Sequence, residues 1–174
     1  ILFMITSSTQ DSSIAQRFLR ETTAEVLFDD FSRGLYSTDA SIYQIKPLGV
    51  VVPKTEEDVL ATLSIANDTG VSVTMRGGGT SQCGQTVGEG IIVDVSKHLN
   101  RLISVDPETR RAVVQPGIVL DQLNALLKPH RLFFPVDVST SSRATIGGMT
   151  ANNSCGARSI RYGKMVDNVR AVDA

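Results

Sequence analysis

Between Leu48 and Met75 the apolar spacing of the chain changes twice, and this double change restricts the possible folds more than any other feature. Leu48–Val52 is a short β-branched run closed by Pro53, the pattern of a buried strand. Thr55 can then offer its hydroxyl to the free N–H groups of a helix, and Asp58 stands three residues on in capping-box spacing. Glu56 and Glu57 put negative charge in the first turn, where the helix dipole favours it. Val59, Leu60, Leu63 and Ala66 are the expected apolar face, and Gly70 is the expected left-handed stop. Val71–Met75 reads as a second strand. Strands joined through a helix in this way run parallel with a right-handed crossover. The predicted class is therefore α/β (α+β), a small mixed sheet flanked by helices.

The remaining periodic stretches add to that frame. Gly90–Val95 reads as a third strand, and Leu102–Asp106 with Arg111–Gln115 as a hairpin about the turn Pro107-Glu108-Thr109. Val119–Leu127 is an expected helix with Leu120, Leu123 and Leu127 on one stripe, ended by Pro129. Ahead of the frame, Ile14, Phe18, Val26 and Phe31 predict one helix from Ser12 to about Phe31, its pattern ended by Gly34. Residues 1–46 are thus expected to be an N-terminal helical segment and 47–174 the main domain. Ile1–Ile5 reads as a strand or a cloning boundary. Val169–Ala174 begins a strand-like alternation and stops, so the sequence is expected to be truncated.

Charge and cysteine usage exclude several functions. A net charge of −1 gives no basic surface for nucleic acid. No apolar run approaches the roughly 20 residues that span a bilayer, and the opening apolar residues are too few for a signal peptide. A cytoplasmic protein is expected, with peripheral membrane contact left open. Cys83 and Cys155 form no CxxC pair, and only His98 and His130 could join them, which argues against a closed zinc site. Both thiols are expected to be reduced, with Cys83 a small buried group under the neighbouring loop ahead of a redox-active one, and Cys155 structural ahead of one facing a bound group. His98 is expected at the surface, and His130 at a helix C-terminus. Tyr36 and Asp39 are expected to fasten the N-terminal helix, with positioning of a bound group the second reading, and Arg158 and Arg161 to be solvated, with pairing to phosphate or substrate the second reading.

The chemistry points to Arg76-Gly77-Gly78-Gly79-Thr80-Ser81, directly after a strand. Consecutive glycines raise the entropy cost of ordering a loop. In return, bare backbone can approach an anion and aim several N–H groups at it. Thr80 and Ser81 add hydroxyls and Arg76 a positive charge, a set suited to phosphate or pyrophosphate. A mobile hairpin tip or tight turn explains the glycines equally well. The dinucleotide fingerprint GxGxxG fails, because Gln82 stands where the third glycine belongs. In the P-loop pattern Gly79, Gly84 and Thr86 fit, but Gln85 replaces the lysine that faces the phosphates.

Taken together these residues resemble a known family. Arg76–Ser81 followed by Gly84-Gln85 is similar to the pyrophosphate loop of FAD-linked oxidoreductases of the vanillyl-alcohol oxidase (PCMH) type, and Val51–Val59 to that family's first strand and helix. Pro135-Val136-Asp137 through Thr145-Ile146-Gly147-Gly148-Met149 resembles its second FAD-contacting segment, continued by Asn152–Arg158 and Tyr162-Gly163. The similarity runs from about Tyr36 to the C-terminus. The subgroup most resembled is the bacterial D-lactate and glycolate dehydrogenases, especially large members with a C-terminal iron–sulfur segment. Val138 departs from the family pattern, which often has a proline there.

The resemblance implies a two-lobed FAD-binding domain, cut after the start of the second lobe, from a flavoprotein that oxidises a small 2-hydroxy acid such as D-lactate or glycolate. It assigns Arg76, Gly77, Gly78, Gly79, Thr80 and Ser81 to the pyrophosphate, with Gln85 nearby. Pro135 and Asp137 would line the cofactor further along, and Thr145, Gly147, Gly148, Asn152, Ser154 and Gly156 would wrap its ribityl and pyrophosphate portion. Some members attach FAD through a histidine in or near the loop. None lies between Arg76 and Gly90, so non-covalent FAD is expected. No catalytic residue and no metal ligand is assigned, the electron acceptor is unassigned, and an iron–sulfur cluster would belong to a C-terminal part beyond the chain. Two other readings are a non-catalytic FAD-binding fragment or subunit, and a phosphate- or ATP-binding module.

Overall fold

The computed structural model describes residues 7–173. The expectation for Ile1–Ile5 lies outside them. The chain divides into two compact units, Ile1–His98 and Leu99–Ala174.

The first unit contains α1 (Ser7–Glu21), β1 (Glu25–Leu27), α2 (Asp30–Leu35), β2 (Gly49–Val52), α3 (Glu56–Thr69), β3 (Val73–Arg76) and β4 (Ile91–Asp94). They build a four-stranded sheet in the order β1-β2-β4-β3. β2 and β3 both run parallel to β4, and β1 pairs antiparallel with β2. The strand–helix–strand unit is therefore present, with a later strand inserted between its two strands. Every residue of β2 and β4 is buried, the pattern of central parallel strands covered on both faces. Val50, Val52 and Ile92 share one face, with Leu27 and Tyr36 packed on them. Val51, Ile91 and Val93 alternate to the other face and are fully buried too.

Helix α3 begins and ends where its sequence dictates. Thr55 and Asp58 form the complete capping box, and Gly70 closes the helix at φ +68°. Its apolar face corrects the expectation, since Leu60 and Leu63 are exposed while Asp58, Thr62, Ile65 and Ala66 are buried. Polar residues can line that face because each is satisfied within it. The Thr62 hydroxyl donates to the Asp58 carbonyl, and the Asp58 carboxylate accepts from Thr23, Lys54 and Thr55. The single helix expected from Ser12 to Phe31 is also corrected. Thr22 hydrogen-bonds back to Phe18 and ends α1, Val26 lies in β1, and Gly34 falls inside α2 instead of ending a helix. The stretch before Pro47 thus contributes a strand to the sheet as well as helices.

The second unit contains the hairpin β5 (Leu102–Asp106) and β6 (Arg111–Val114), α4 (Leu120–Leu127), a 3-10 turn over Lys128–His130, and three short helices. These are α5 (Ile146–Ala151), α6 (Ser159–Tyr162) and α7 (Met165–Asn168). The hairpin turn is fixed by Asp106, whose carboxylate accepts from Glu108 N, Thr109 N and the Thr109 hydroxyl. Leu120, Leu123 and Leu127 form the predicted stripe of α4, in a core with Ile118, Val136, Ile146, Met149 and Met165. The strand expected from Val169 onward is absent through Asp173, the last described residue.

Candidate functional site

In the first unit the glycine loop leaves β3, the outermost strand of the sheet. Val95 N donates to the Arg76 carbonyl at 3.1 Å, turning that carbonyl toward β4. In a planar trans peptide the next N–H points the opposite way, so the N–H of Gly77 faces the open side of the strand. The same geometry recurs three residues on. Ala40 N donates to the Gly79 carbonyl at 3.1 Å, which aims the N–H of Thr80 away from the segment around Ala40. Gly79 holds φ +63° and Gly84 φ +73°, a region that side chains disfavour. Among the described residues, the N–H groups of Gly77, Gly78, Gly79 and Thr80 donate to no other protein group. Unpaired backbone donors of this kind accumulate where an anion or water completes them.

The polar side chains of the loop are engaged differently from the sequence expectation. The Arg76 guanidinium turns back beneath the loop. Its Nη1 donates to the Tyr36 and Thr86 carbonyls at 3.3 and 3.2 Å, its Nη2 donates to the Thr38 carbonyl at 2.8 Å, and it stacks over the Tyr36 ring at 5.2 Å. The Ser81 hydroxyl bonds to the Gln85 side chain and accepts from Cys83 N at 3.2 Å, fixing the turn. Cys83 is exposed on that turn and not buried under the loop, because its backbone and not its thiol makes the internal bond. The Thr86 hydroxyl donates to Asp39 at 3.0 Å, and no helix follows the loop before β4, so it lacks the helix N-terminus of a P-loop.

Tyr36, Thr38, Asp39 and Ala40 therefore serve the glycine loop, while Tyr36 N also caps α2. The Tyr36 hydroxyl donates to Asp94 at 2.7 Å, and burial followed by that carboxylate pushes its pKa well above the usual tyrosine range. Burial works to raise the Asp39 carboxyl, but hydrogen bonds from Ser41 and Thr86 outweigh it and hold the group below its ordinary value. Sequence reasoning placed a positioning role for Tyr36 and Asp39 second to fastening the helix. The only signal was a polar run, Tyr36–Ser41, with neither helical nor strand period.

The second unit holds the other group of predicted residues. Gly147 N donates to the Pro116 carbonyl at 2.8 Å, and a Cβ at Gly147 would stand 2.7 Å from Pro116 Cβ. Thr145 is buried and caps α5, accepting from Gly148 N at 3.4 Å, while Gly148 itself is exposed. Asn152 donates to the Ser154 hydroxyl at 3.4 Å in the turn after α5, and Ser154 N returns to the Met149 carbonyl. Asp137 accepts from Arg158 N at 2.9 Å and faces its Nε at 3.6 Å, and a Cβ at Gly156 would collide with the Asp137 backbone. Asp137 and Gly156 are thus neighbours, and Pro135 precedes them half-buried. Arg158 and Arg161 are exposed but not merely solvated, the latter stacking on Tyr162 at 5.3 Å. Cys155 is exposed, contrary to a packed structural role.

Other features carry no chemistry. His98 pairs with Glu25 at 2.6 Å, and His130 is exposed at the end of its 3-10 turn. A depression of about 430 Å³ lined by residues such as Arg20, Thr23 and Asp58 contains none of the predicted site residues. Among the described residues there is no group of three His, Cys, Asp or Glu able to hold a metal, and no helix long and apolar enough to cross a membrane.

Comparison with known proteins bears on both segments. A family model described as an FAD binding domain matches residues 47–174. A D-2-hydroxyglutarate dehydrogenase of Pantoea ananatis is 45% identical over 79% of this chain, which spans 14% of that relative's length. The glycolate oxidase subunit GlcD of Bacillus subtilis is 38% identical over 82% of this chain and is itself covered to 31%. Among solved structures, an alkyldihydroxyacetonephosphate synthase superposes with a TM-score of 0.75 over 82% of this chain and 29% of its own, at 22% identity. That similarity identifies the fold.

Proposed function

The chain belongs to the FAD binding domain family, and from that premise we propose that its glycine loop holds the FAD pyrophosphate in a dehydrogenase of small 2-hydroxy acids. One observation carries the reading: the carbonyls of Arg76 and Gly79 are tied back, which leaves the N–H groups of Gly77 and Thr80 turned outward and unengaged. Such a cradle fits a pyrophosphate, which accepts hydrogen bonds from bare backbone without needing a lysine. The redox chemistry would be supplied by bound FAD, which would take up the hydride from the carbon bearing the substrate hydroxyl. The chain's own residues bind and orient it. Arg76, Gly77, Gly78, Gly79, Thr80, Ser81 and Gln85 form the loop in the first unit. In the second unit the cofactor-facing set is Pro135, Asp137, Thr145, Gly147, Gly148, Asn152, Ser154 and Gly156. No side chain of this chain is assigned to proton abstraction.

The cofactor is proposed to be non-covalent, since no histidine lies in the loop. The substrate class follows the relatives' names, D-2-hydroxyglutarate and glycolate, with D-lactate in the same chemical class. An iron–sulfur segment elsewhere in the protein, and a cytoplasmic or membrane-peripheral location, extend the same proposal; iron analysis and cell fractionation test them. The first experiment is the visible spectrum of the purified complete protein, repeated on the supernatant after acid precipitation. Released flavin supports the proposal. Turnover of the three acids with an artificial acceptor then separates an enzyme from a non-catalytic FAD-binding subunit. A colourless protein that takes up ATP but not FAD would replace the proposal with a nucleotide-binding module.

A further inference from the structure

We propose that Tyr36–Ala40 and Arg76 form a clamp that sets the peptide planes of the glycine loop, and that Arg76 acts as a positioning residue without touching the pyrophosphate; this rests on the FAD reading above. Arg76 presents its planar fork of donors to three carbonyls, those of Tyr36, Thr38 and Thr86. These carbonyls belong to the clamp segment and to the exit of the loop. One side chain therefore fixes the distance between them. No carboxylate pairs with it among the described residues. Its charge stays beneath the loop, where it favours an anion beyond the backbone.

The clamp is itself anchored. The Tyr36 hydroxyl donates to Asp94 at the end of β4, and Asp94 also accepts from Ser96 N at 2.8 Å. Asp39 takes the Thr86 hydroxyl at 3.0 Å and Ser41 N at 2.8 Å, gripping the exit of the loop. Ala40 N donates to the Gly79 carbonyl, the bond that orients Thr80 N–H. A Cβ at Gly79 would stand 2.8 Å from Arg76 Nη2, so a side chain there would push against the guanidinium.

The test titrates the complete protein with FAD and with riboflavin, which lacks phosphates, for wild type, Arg76→Lys, Asp39→Ala and Asp39→Asn. Lysine keeps the charge but is a point donor that cannot reproduce the three-carbonyl fork. Arg76→Lys is therefore expected to weaken FAD binding about tenfold or more and leave riboflavin affinity within about twofold of wild type. Asp39→Ala should weaken FAD binding severalfold, and Asp39→Asn, whose Oδ1 can still accept from Ser41 N while its Nδ2 donates to the Thr86 hydroxyl oxygen, should restore most of it. Arg76→Lys equal to wild type for FAD would overturn the proposal, because a charge contact would then suffice. Equal losses for FAD and riboflavin would also overturn it, by showing general damage. If Arg76→Lys fails to fold, the two Asp39 variants decide alone. Wild type that binds pyrophosphate but not FAD sinks the FAD reading only, and the variants are then compared on pyrophosphate. Wild type that binds neither sinks both.

Discussion

The loop 76–86 and the block 135–156 share a composition rich in glycine, serine and threonine, yet they use it in opposite ways. In the loop the glycines free the backbone. Carbonyls are held from behind, left-handed φ values turn the chain, and N–H groups face outward. In the block the glycines let the chain pack closely, Gly147 against Pro116 and Gly156 against Asp137, while hydroxyl and amide side chains bond within their own turns. A glycine-rich stretch thus does not by itself mark a ligand. The sign to look for is where its carbonyls go.

The comparison can be broken by placing a methyl group in each segment. Gly156→Ala, driven into the Asp137 backbone, should cost about 3 kcal/mol, and Gly147→Ala against Pro116 about 2 kcal/mol. Both losses should appear as lowered midpoints in denaturant. If either variant keeps wild-type stability, close packing is not what its glycine provides.

The carboxylates of the two units sharpen the contrast next. Asp58 is 4% exposed and accepts from Thr23, Lys54 and Thr55, whereas Asp137 serves Arg158 at a partly open site. Burial tends to raise the Asp58 carboxyl, and the hydrogen bonds from Thr23, Lys54 and Thr55 prevail, so its pKa is lowered in the fold. A lowered folded pKa gives stability that is present above the unfolded value, about 3.9, and lost as pH falls through the folded one. Asp58→Ala should therefore cost about 2 kcal/mol near neutral pH, with the gap to wild type closing below about pH 4. A gap independent of pH would show that the charge is not responsible.

Gly79→Ala should cost only about 1 kcal/mol for its positive φ, but lower FAD affinity more than either second-unit glycine variant does per unit of stability lost. Comparing flavin titrations with melting curves separates the two effects. Smallest of all, Cys155→Ser should change stability by less than about 0.5 kcal/mol, because the thiol is exposed. A larger loss would restore the packed role expected from its sequence neighbours.

The sequence revealed most where a local rule decides the structure. The capping box of Thr55 and Asp58, the left-handed Gly70, the β5–β6 hairpin and the leucine stripe of α4 need only neighbours in the chain. It misled where a distant partner decides. Val26 reads as part of a helical stripe but pairs with Val51 in a sheet, and Leu60 looks apolar enough for the core while Thr62 takes the buried position. The loop was legible as a candidate for anion binding. Its clamp was not, because Asp39 and Thr86 stand 47 positions apart in the sequence and meet only once the chain between them has folded.

The order of the strands also governs how the first unit can assemble. β4 lies in the middle of the sheet yet is its last strand in sequence, and β2 and β3 do not pair with each other. Emerging from a ribosome, the earlier strands must wait with open edges until Ile91–Asp94 arrives. Long-range parallel pairing of this kind is slow and leaves chains exposed to self-association. The glycine loop connects β3 to that late central strand, so the final strand reaches its slot across it. The same segment that is proposed to hold the cofactor is therefore the tether across which the sheet is completed.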